Sequence, residues 1–303
     1  MKAREKEKLK DTINALKKKK GAIILAHSYQ QEDIYDIADF VGDSYELSVK
    51  AMHCQESTIV FCGVKFMAET AKILSPEKTV LLPAEKAGCP MADMITLDQL
   101  KNFKAKYPGV PVVSYVNTNA DVKTETDICC TSANAAKVVD SVQGDRVLFV
   151  PDKNLAGFIA QRTEKEIIPW DGFCKIHHRI TPEMILKAKS NHPDAVVIGH
   201  PECKVEVSEL FDYALSTGGM VKYAQENSNK KIILVTVDNM ANRLRRENSS
   251  NNYITLGMVC QDMQMTDLNS VLNALEKGQH EVKLDHETIG KAKTAMERMV
   301  EIR

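Results

Sequence analysis

The sequence has no apolar run approaching the roughly 20 residues that a membrane-spanning helix needs. Its 303 residues carry 40 basic and 41 acidic side chains. This balance argues against nucleic acid or an anionic membrane as a partner, since both need a basic surface. The patterns G-x-G-x-x-G and G-x-x-x-x-G-K-[ST] are missing, so neither dinucleotide nor P-loop chemistry is indicated. What remains is a chain long enough for two or three small domains.

The first 20 residues are charged throughout and lack the apolar core of a secretory signal peptide. Leu9, Ile13 and Leu16 recur there at helical spacing, which predicts an amphipathic helix. The chain has eight cysteines, and without a secretory signal these indicate a reducing compartment, the cytoplasm. Thiols in such a compartment bind metals, react or lie buried, so we do not expect disulfides.

Four kinds of landmark recur three times along the chain, with a period of about 85 residues. They are a polar residue after an apolar run (His27, Tyr115, His200), a serine at a helix start (Ser44, Ser132, Ser216), a cysteine (Cys89, Cys174, Cys260) and a threonine at a second helix start (Thr96, Thr181, Thr266). Each unit alternates short β-branched runs with helical segments, which predicts parallel βαβ units. We therefore predict an α/β protein of three homologous small α/β/α domains, with parallel sheets around a pseudo-threefold axis.

The predicted domains are residues 1–90, 91–176 and 177–274, with a C-terminal helix in 275–303 that packs back on the first domain. Ligands of parallel sheets bind beyond the carboxyl ends of the strands, near helix N-termini that offer free N–H groups. Three such ends directed at one axis would form a single enclosed site.

Cys89, Cys174 and Cys260 differ from the other cysteines because they follow the same strand in each repeat. An isolated thiol is most often a buried apolar group, and that interpretation suits the cysteines without repeat partners. Three thiolates brought together suit zinc completed by a histidine, or an iron–sulfur cluster with one open iron. No C-x-x-C spacing is present, so the repeat alone carries this prediction.

Polar side chains follow the first strand of each repeat, as the pairs His27 and Tyr29, Tyr115 and Asn117, and His200 and Glu202. Such a set can transfer protons near neutral pH, with the glutamate as base. Hydroxyl residues at the predicted helix starts are interpreted as N-caps, namely Ser44, Thr131, Ser132, Ser216 and Thr217. Three capped N-termini around one cavity predict a substrate with several carboxylates or phosphates.

These residues resemble the quinolinate synthase family. The matching stretches are AIILAHSYQ, DIADFVGDSYELS, GVKFMAETAKIL, CPMA, VVSYVN, TSANA, PDKNLA, HPEC and STGGM, in the family's order from about Gly21 onward. The resemblance implies three homologous α/β domains and a [4Fe–4S] cluster on Cys89, Cys174 and Cys260. It also implies condensation of iminoaspartate with dihydroxyacetone phosphate, releasing phosphate and two waters to give quinolinate for NAD biosynthesis, with the open iron as Lewis acid.

The resemblance also implies individual roles. Tyr29 and Glu202 would serve acid–base steps, Tyr115 and Asn117 would lie near the substrate, and His177 would lie beside cluster and substrate. Substrate carboxylates and phosphate would be held by His27, Ser44, Ser132, His200, Ser216 and Thr217. A functional partner that supplies iminoaspartate, an aspartate oxidase or dehydrogenase, is implied as well.

Three positions depart from the family pattern. Ser28 replaces an asparagine, Lys175 replaces a proline that is common in the cysteine loop, and Val237 stands where a glutamate often follows Thr236. The last change removes a carboxylate. Two alternatives therefore stay open: a paralogous iron–sulfur hydro-lyase acting on a related polyanionic substrate, and a non-enzymatic metal-binding or redox-sensing protein.

Overall fold

Twelve strands form three four-stranded sheets in the computed structural model, which describes residues 3–302. The first sheet contains β1 (Ala22–His27), β2 (Phe40–Gly42), β3 (Thr58–Cys62) and β4 (Thr79–Leu81); the second contains β5 (Val112–Tyr115), β6 (Ile128–Cys130), β7 (Arg146–Val150) and β8 (Glu166–Pro169); the third contains β9 (Val196–Gly199), β10 (Tyr213–Ala214), β11 (Lys231–Val235) and β12 (Asn252–Thr255). Each sheet has its four strands in the spatial order second, first, third, fourth, and every pairing between these strands is parallel. The predicted α/β class with three parallel sheets is confirmed.

Helices flank each sheet. Around the first sheet they are α1 (Ala3–Lys19), α2 (Glu32–Tyr35), α3 (Ser44–His53) and α4 (Lys65–Leu74). Around the second sheet they are α5 (Leu97–Lys106), α6 (Ala120–Lys123), α7 (Ala135–Ser141) and α8 (Lys153–Ala160). After β8 the chain continues with α9 (Lys175–His178), α10 (Pro182–Asn191), α11 (Val205–Ser208), α12 (Thr217–Glu226) and α13 (Asn239–Glu247), and after β12 it ends with α14 (Leu268–Lys277) and α15 (His286–Glu301). Among residues 3–302, no helix has both the length and the apolar character needed to cross a membrane.

The inner strands are almost continuously apolar because helices cover both faces of each sheet. All six residues of β1 are buried, and β7 and β11 each bury four of their five residues. This explains why short unbroken apolar runs, rather than alternating ones, carried the period in the sequence. It also leaves the carboxyl ends of these strands as the places where polar side chains emerge.

A fifth landmark has the same period, and the structure shows what it does. The residue immediately before the second strand of each sheet is an aspartate whose carboxylate accepts a hydrogen bond from a backbone N–H of the first strand: Asp39 from Ile24 (2.8 Å), Asp127 from Val112 (2.7 Å) and Asp212 from Val197 (2.8 Å). Each bond ties the short edge strand to the inner strand beside it. The three carboxylates thereby give each unit the same edge geometry.

Several predicted helix caps lie one or more residues from their true positions. Ser216 caps α12 and Thr96 caps α5, as predicted. The cap of α3 is Asp43 instead of Ser44, and Asp43 forms a capping box with Glu46. A carboxylate next to a serine takes the cap because its charge also favours the helix N-terminus. By the same reasoning Asp267, rather than its neighbour Thr266, caps α14. The residue that precedes α7 is Asn134, so Thr131 and Ser132 do not cap that helix.

The C-terminal helices close the fold. Helix α14 packs against α1 and β3, in the first unit. Helix α15 contacts α3 and α4 of the first unit and also α6 and β6 of the second. Its buried face consists of Ile289, Ala292, Ala295, Met296 and Met299. The final helix thus bridges two units, while the division of the chain at residues 90 and 176 stays a prediction.

Candidate active site

One cavity lies where the carboxyl ends of the three sheets meet, with about 790 Å³ of empty space including its opening to solvent. Thirteen of the fourteen predicted site residues line it: His27, Tyr29, Ser44 and Cys89, then Tyr115, Asn117, Ser132 and Cys174, then His177, His200, Glu202, Thr217 and Cys260. The exception is Ser216, whose Oγ turns back to accept a hydrogen bond from the Gly219 N–H at 3.1 Å. We call this space the central cavity.

Cys89, Cys174 and Cys260 reach the central cavity from equivalent loops, which follow β4, β8 and β12. A short helical turn begins just after each cysteine, so that the N–H groups of the second and third following residues face its sulfur. Burial raises the pKa of Cys89 to about 12, and the N–H groups of Ala92 and Met91 oppose that shift. The same pair of backbone donors recurs at the other two thiols.

This donor set fits a metal cluster held by three thiolates. All three cysteines are free thiols, partly exposed towards the cavity, and each is presented with two N–H groups that favour the thiolate over the thiol. Among the cysteines without repeat partners, Cys62, Cys129 and Cys130 lie on strands and are wholly buried. They do not line the cavity.

Glu202 is the centre of a buried hydrogen-bonded group. Its Oε1 accepts a hydrogen bond from the Tyr115 hydroxyl at 2.6 Å, and its Oε2 lies 2.8 Å from His177 Nδ1. Burial alone would raise the pKa of Glu202, but the neighbouring His177 and His200 and its hydrogen bonds bring that pKa below the ordinary value. Glu202 is therefore a carboxylate at neutral pH, although it is only 5% exposed.

Thr236 connects this group to Tyr29. Its Oγ1 lies 2.9 Å from His177 Nε2 and 2.6 Å from the Tyr29 hydroxyl. A continuous hydrogen-bonded chain thus runs through Tyr29, Thr236, His177, Glu202 and Tyr115, with contributions from all three sheets. Thr236 was not among the predicted site residues, because a single threonine at the end of an apolar run carries no signal of its own.

Tyr29, Tyr115, His27 and His200 each have one protonation state near neutral pH. Burial and then the negative charge of Glu202 raise the pKa of both Tyr29 and Tyr115, which keeps them as donors. Burial lowers the pKa of His27 to about 4 and that of His200 to about 3, although Glu202 opposes both shifts. These two histidines are neutral, and His200 Nε2 lies 3.2 Å from the Ser132 hydroxyl.

Asp43 is a second cavity residue that was not among the predicted site residues. It lines the cavity beside Ser44 and accepts hydrogen bonds from backbone N–H groups of Glu46, Gly218 and Tyr45. Gly218 belongs to α12, so this carboxylate from the first unit lies at a helix N-terminus of the third. Burial, together with nearby Glu46, raises the pKa of Asp43 to about 6. Its signal in the sequence was hidden by the adjacent serine.

Asn117 contains an unsatisfied acceptor at the cavity wall. Its side-chain Oδ1 is buried, and no hydrogen-bond donor reaches it within the described chain. A buried polar atom without a partner costs about 1–3 kcal/mol, so a donor on a bound ligand would be stabilising here. The atom is thus an open hydrogen-bond acceptor at the cavity wall.

The three positions that depart from the family pattern have different surroundings. Val237 and Lys175 line the central cavity, and Lys175 Nζ lies 3.9 Å from an Asp262 carboxylate oxygen. Ser28 is buried behind the wall, where its carbonyl accepts a hydrogen bond from Tyr35. His178 lies outside the cavity, stacked on Phe173 with a 4.2 Å separation of ring centres.

The geometry is accompanied by similarity along nearly the whole chain. The sequence profile described as "Quinolinate synthetase A protein" matches residues 11–301. The chain belongs to the quinolinate synthetase A family. The family consists of enzymes, and relatives named quinolinate synthase include that of Dehalococcoides mccartyi, 52% identical over 298 residues, which are 98% of this chain and 99% of the relative. That of Alkaliphilus metalliredigens is 50% identical over 296 residues, 97% and 98% of the two chains. That of Methanoregula boonei is 49% identical over 294 residues, which are 96% of this chain and 97% of the relative.

Proposed function

We propose that the protein is a quinolinate synthase that condenses iminoaspartate with dihydroxyacetone phosphate in NAD biosynthesis. One molecule of each would yield quinolinate, phosphate and two waters. The observation that carries this proposal is the meeting of three repeat-related thiols and a buried acid–base chain in one cavity. Family membership supplies the substrate names, and the cavity supplies matching chemistry.

Cys89, Cys174 and Cys260 would hold a [4Fe–4S] cluster. When bound, the cluster would supply an open iron that acts as a Lewis acid on substrate oxygen. The thiols are suited to this task because backbone N–H groups stabilise their charged form at each corner. The other cysteines lack this arrangement, so the protein has one set of cluster ligands to offer.

Glu202 is proposed as the general base. It is a carboxylate at neutral pH and it lines the cavity, so it can accept a proton from a substrate bound there. Tyr115 and His177 hold its two oxygens. In the tautomer of His177 that carries its proton on Nε2, a proton accepted at Glu202 passes to Nδ1 while the Nε2 proton moves through the Thr236 hydroxyl to Tyr29. Tyr29 then serves as the proton donor for a leaving hydroxyl.

The anionic ends of the substrates are proposed to bind where hydroxyls and helix N-termini face the cavity. Ser44 and Thr217 are the first residues of α3 and α12, and Ser132 is paired with neutral His200. Free N–H groups at a helix start favour carboxylate and phosphate. Asn117 Oδ1 would accept a hydrogen bond from a substrate N–H or O–H.

The test is an anaerobic iron and sulfide count paired with an assay of quinolinate formation. We expect iron and sulfide in the ratio of one [4Fe–4S] cluster per chain, and loss of both cluster and turnover on replacing any one of the three cysteines. A cluster-free preparation that still forms quinolinate would refute the proposal. A normal cluster without quinolinate would instead favour a hydro-lyase with a related substrate, to which Val237 in the cavity wall would be relevant.

The substrate also implies a partner reaction. Iminoaspartate is an imine and hydrolyses in water, so an enzyme that oxidises aspartate, an aspartate oxidase or dehydrogenase, would have to supply it. Both activities would then operate in the same compartment, for which we propose the cytoplasm.

A further inference from the structure

Cys174, His177 and Glu202 form a compact group of three different metal-ligand types. One ligand atom from each lies within 4.8 Å of the others. The closest approaches both involve His177 Nδ1, which is 2.8 Å from Glu202 Oε2 and 3.3 Å from Cys174 Sγ. Neither Cys89 nor Cys260 belongs to this group, so it is a different set from the three thiols assigned to the cluster.

The geometry suits a tetrahedral ion. Zinc binds thiolate at about 2.3 Å and imidazole or carboxylate at about 2.0–2.2 Å, which places two ligand atoms of a tetrahedral site about 3.5 Å apart. The two approaches to His177 would have to widen by less than about 1 Å to reach this spacing. One thiolate, one imidazole and one carboxylate leave a fourth position for water.

Every ligand of the group is already oriented by a second interaction. Thr236 Oγ1 lies 2.9 Å from the outer nitrogen of His177, and Tyr115 donates to the second oxygen of Glu202 at 2.6 Å. The sulfur of Cys174 faces the backbone N–H groups of His177 and Ile176. Such outer contacts fix the tautomer and direction of metal ligands. Two of the three side chains are also buried, His177 at 1% and Glu202 at 5% exposure.

We propose that the chain without its cluster binds one Zn²⁺ ion at Cys174, His177 and Glu202. The thiol of Cys174 loses its proton to solvent as the zinc–sulfur bond forms. His177 Nδ1 gives up the proton that faces Glu202, and the imidazole proton is then carried on Nε2, 2.9 Å from Thr236 Oγ1. The oxidation state of the metal does not change. Cys174 is also the proposed cluster ligand, so zinc and cluster exclude each other. Zinc would in addition occupy the carboxylate and imidazole that serve acid–base steps. Zinc therefore holds the cluster-free protein in an inactive state. A cluster cannot assemble from iron and sulfide until zinc leaves Cys174.

The test uses the whole chain, isolated anaerobically without its cluster and freed of metal. Zn²⁺ is titrated against a chromogenic chelator, and Co²⁺ is used as a spectroscopic substitute. We expect one equivalent of either ion, and with Co²⁺ an intense sulfur-to-metal band with the visible bands of a tetrahedral site. Cys174→Ala should abolish the sulfur band, and His177→Gln and Glu202→Gln should each weaken Zn²⁺ binding by more than about 100-fold, beyond what outer-contact changes do.

Cys89→Ala and Cys260→Ala are the matched controls. Both remove a proposed cluster ligand, as Cys174→Ala does, but neither removes a member of the zinc group. We expect both to bind Zn²⁺ and Co²⁺ as the unaltered chain does. Equal weakening by all three cysteine replacements would overturn the proposal, since it would locate zinc at the three thiols. Unchanged binding in the His177 and Glu202 variants would also overturn it.

Failure of this proposal and failure of the proposed enzyme function can be told apart. Zinc binding is measured on cluster-free protein, so it does not depend on quinolinate formation. Reconstitution with iron and sulfide provides the link between them. We expect added Zn²⁺ to block cluster assembly in the unaltered chain but not in Glu202→Gln, which keeps all three cysteines. Assembly that proceeds in the unaltered chain with zinc bound would contradict the exclusion.

Discussion

Replacing Thr236 by valine removes one hydroxyl while it keeps the shape of the side chain. In the native chain that hydroxyl is fully buried and contacts both the Tyr29 hydroxyl, at 2.6 Å, and His177 Nε2, at 2.9 Å. Valine leaves both groups buried without a partner. Thr236→Val therefore interrupts the proposed proton path at its midpoint without touching the cysteines or Glu202.

The expected magnitude follows from those two contacts. Each buried polar group left unpaired costs about 1–3 kcal/mol, and part of this cost falls on the folded state whether or not substrate is bound. If about 3 kcal/mol falls on the transition state, turnover decreases about 100-fold, because 1.36 kcal/mol corresponds to a factor of ten. A similar figure follows from general acid–base catalysis, which typically contributes about 100- to 10,000-fold.

The assay is anaerobic quinolinate formation at a measured iron content, with kcat and KM determined across pH. Thr236→Ser is the matched control, since it keeps the hydroxyl and should restore most of the turnover. Iron content should be the same in both variants. A valine variant with kcat within about threefold of the native value would refute the proposed path. A loss of iron in the valine variant but not in the serine variant would show that Thr236 supports the cluster loop instead.

Four further predictions concern residues in and around the site. Tyr115→Phe removes a hydrogen-bond donor to the Glu202 carboxylate, so the pKa of Glu202 should rise. The acidic limb of the pH profile of kcat/KM should then move to higher pH, and an unmoved limb would contradict Glu202 as the base. Burial raises the pKa of Asp43 to about 6 in the folded chain. The protonated carboxyl therefore stabilises the fold at low pH, and as pH rises from about 4 to about 6 this contribution of at most about 3 kcal/mol is lost. The melting temperature of Asp43→Asn should depend less on pH over this range than that of the unaltered chain, and parallel curves would refute this. Gly218→Ala would place a Cβ 2.6 Å from the Asp43 carboxylate, so it should lower the melting temperature by several degrees. His178 lies outside the cavity, so His178→Ala should keep its iron content and most of its turnover.

The sequence alone predicted the three parallel sheets, and the structure confirmed them. The reason is that an unbroken apolar run followed by polar residues is typical of a parallel strand covered by helices on both faces. These runs recur three times along the chain with a period of about 85 residues, which predicts three similar sheets. The same period brought out Cys89, Cys174 and Cys260, whose convergence in one cavity is visible in the structure. Their role as cluster ligands stays a prediction.

Residues without repeat partners were less predictable. Thr236 has no hydroxyl counterpart at the ends of β3 and β7, where Gly63 and Pro151 follow the strands, so the period gave no reason to select it. Asp43 was passed over for its neighbour Ser44, because a cap position cannot be located to one residue from sequence. The pairing of the Asp43 carboxylate with Gly218 links residues from different units, which no local pattern records.

The group formed by Cys174, His177 and Glu202 divides in the same way between what the sequence determines and what the structure decides. Sequence determined which residue types recur at the strand ends, since periodicity is a property of the chain itself. Only the tertiary structure decided that Glu202 approaches His177 at 2.8 Å and that both lie near Cys174. That contact joins His177 of α9 to Glu202 in the loop after β9, and its distance depends on how the sheets pack against one another. Packing of this kind depends on many contacts between residues distant in sequence. The residue types at the strand ends could therefore be predicted from the sequence, but the hydrogen bonds between them could not.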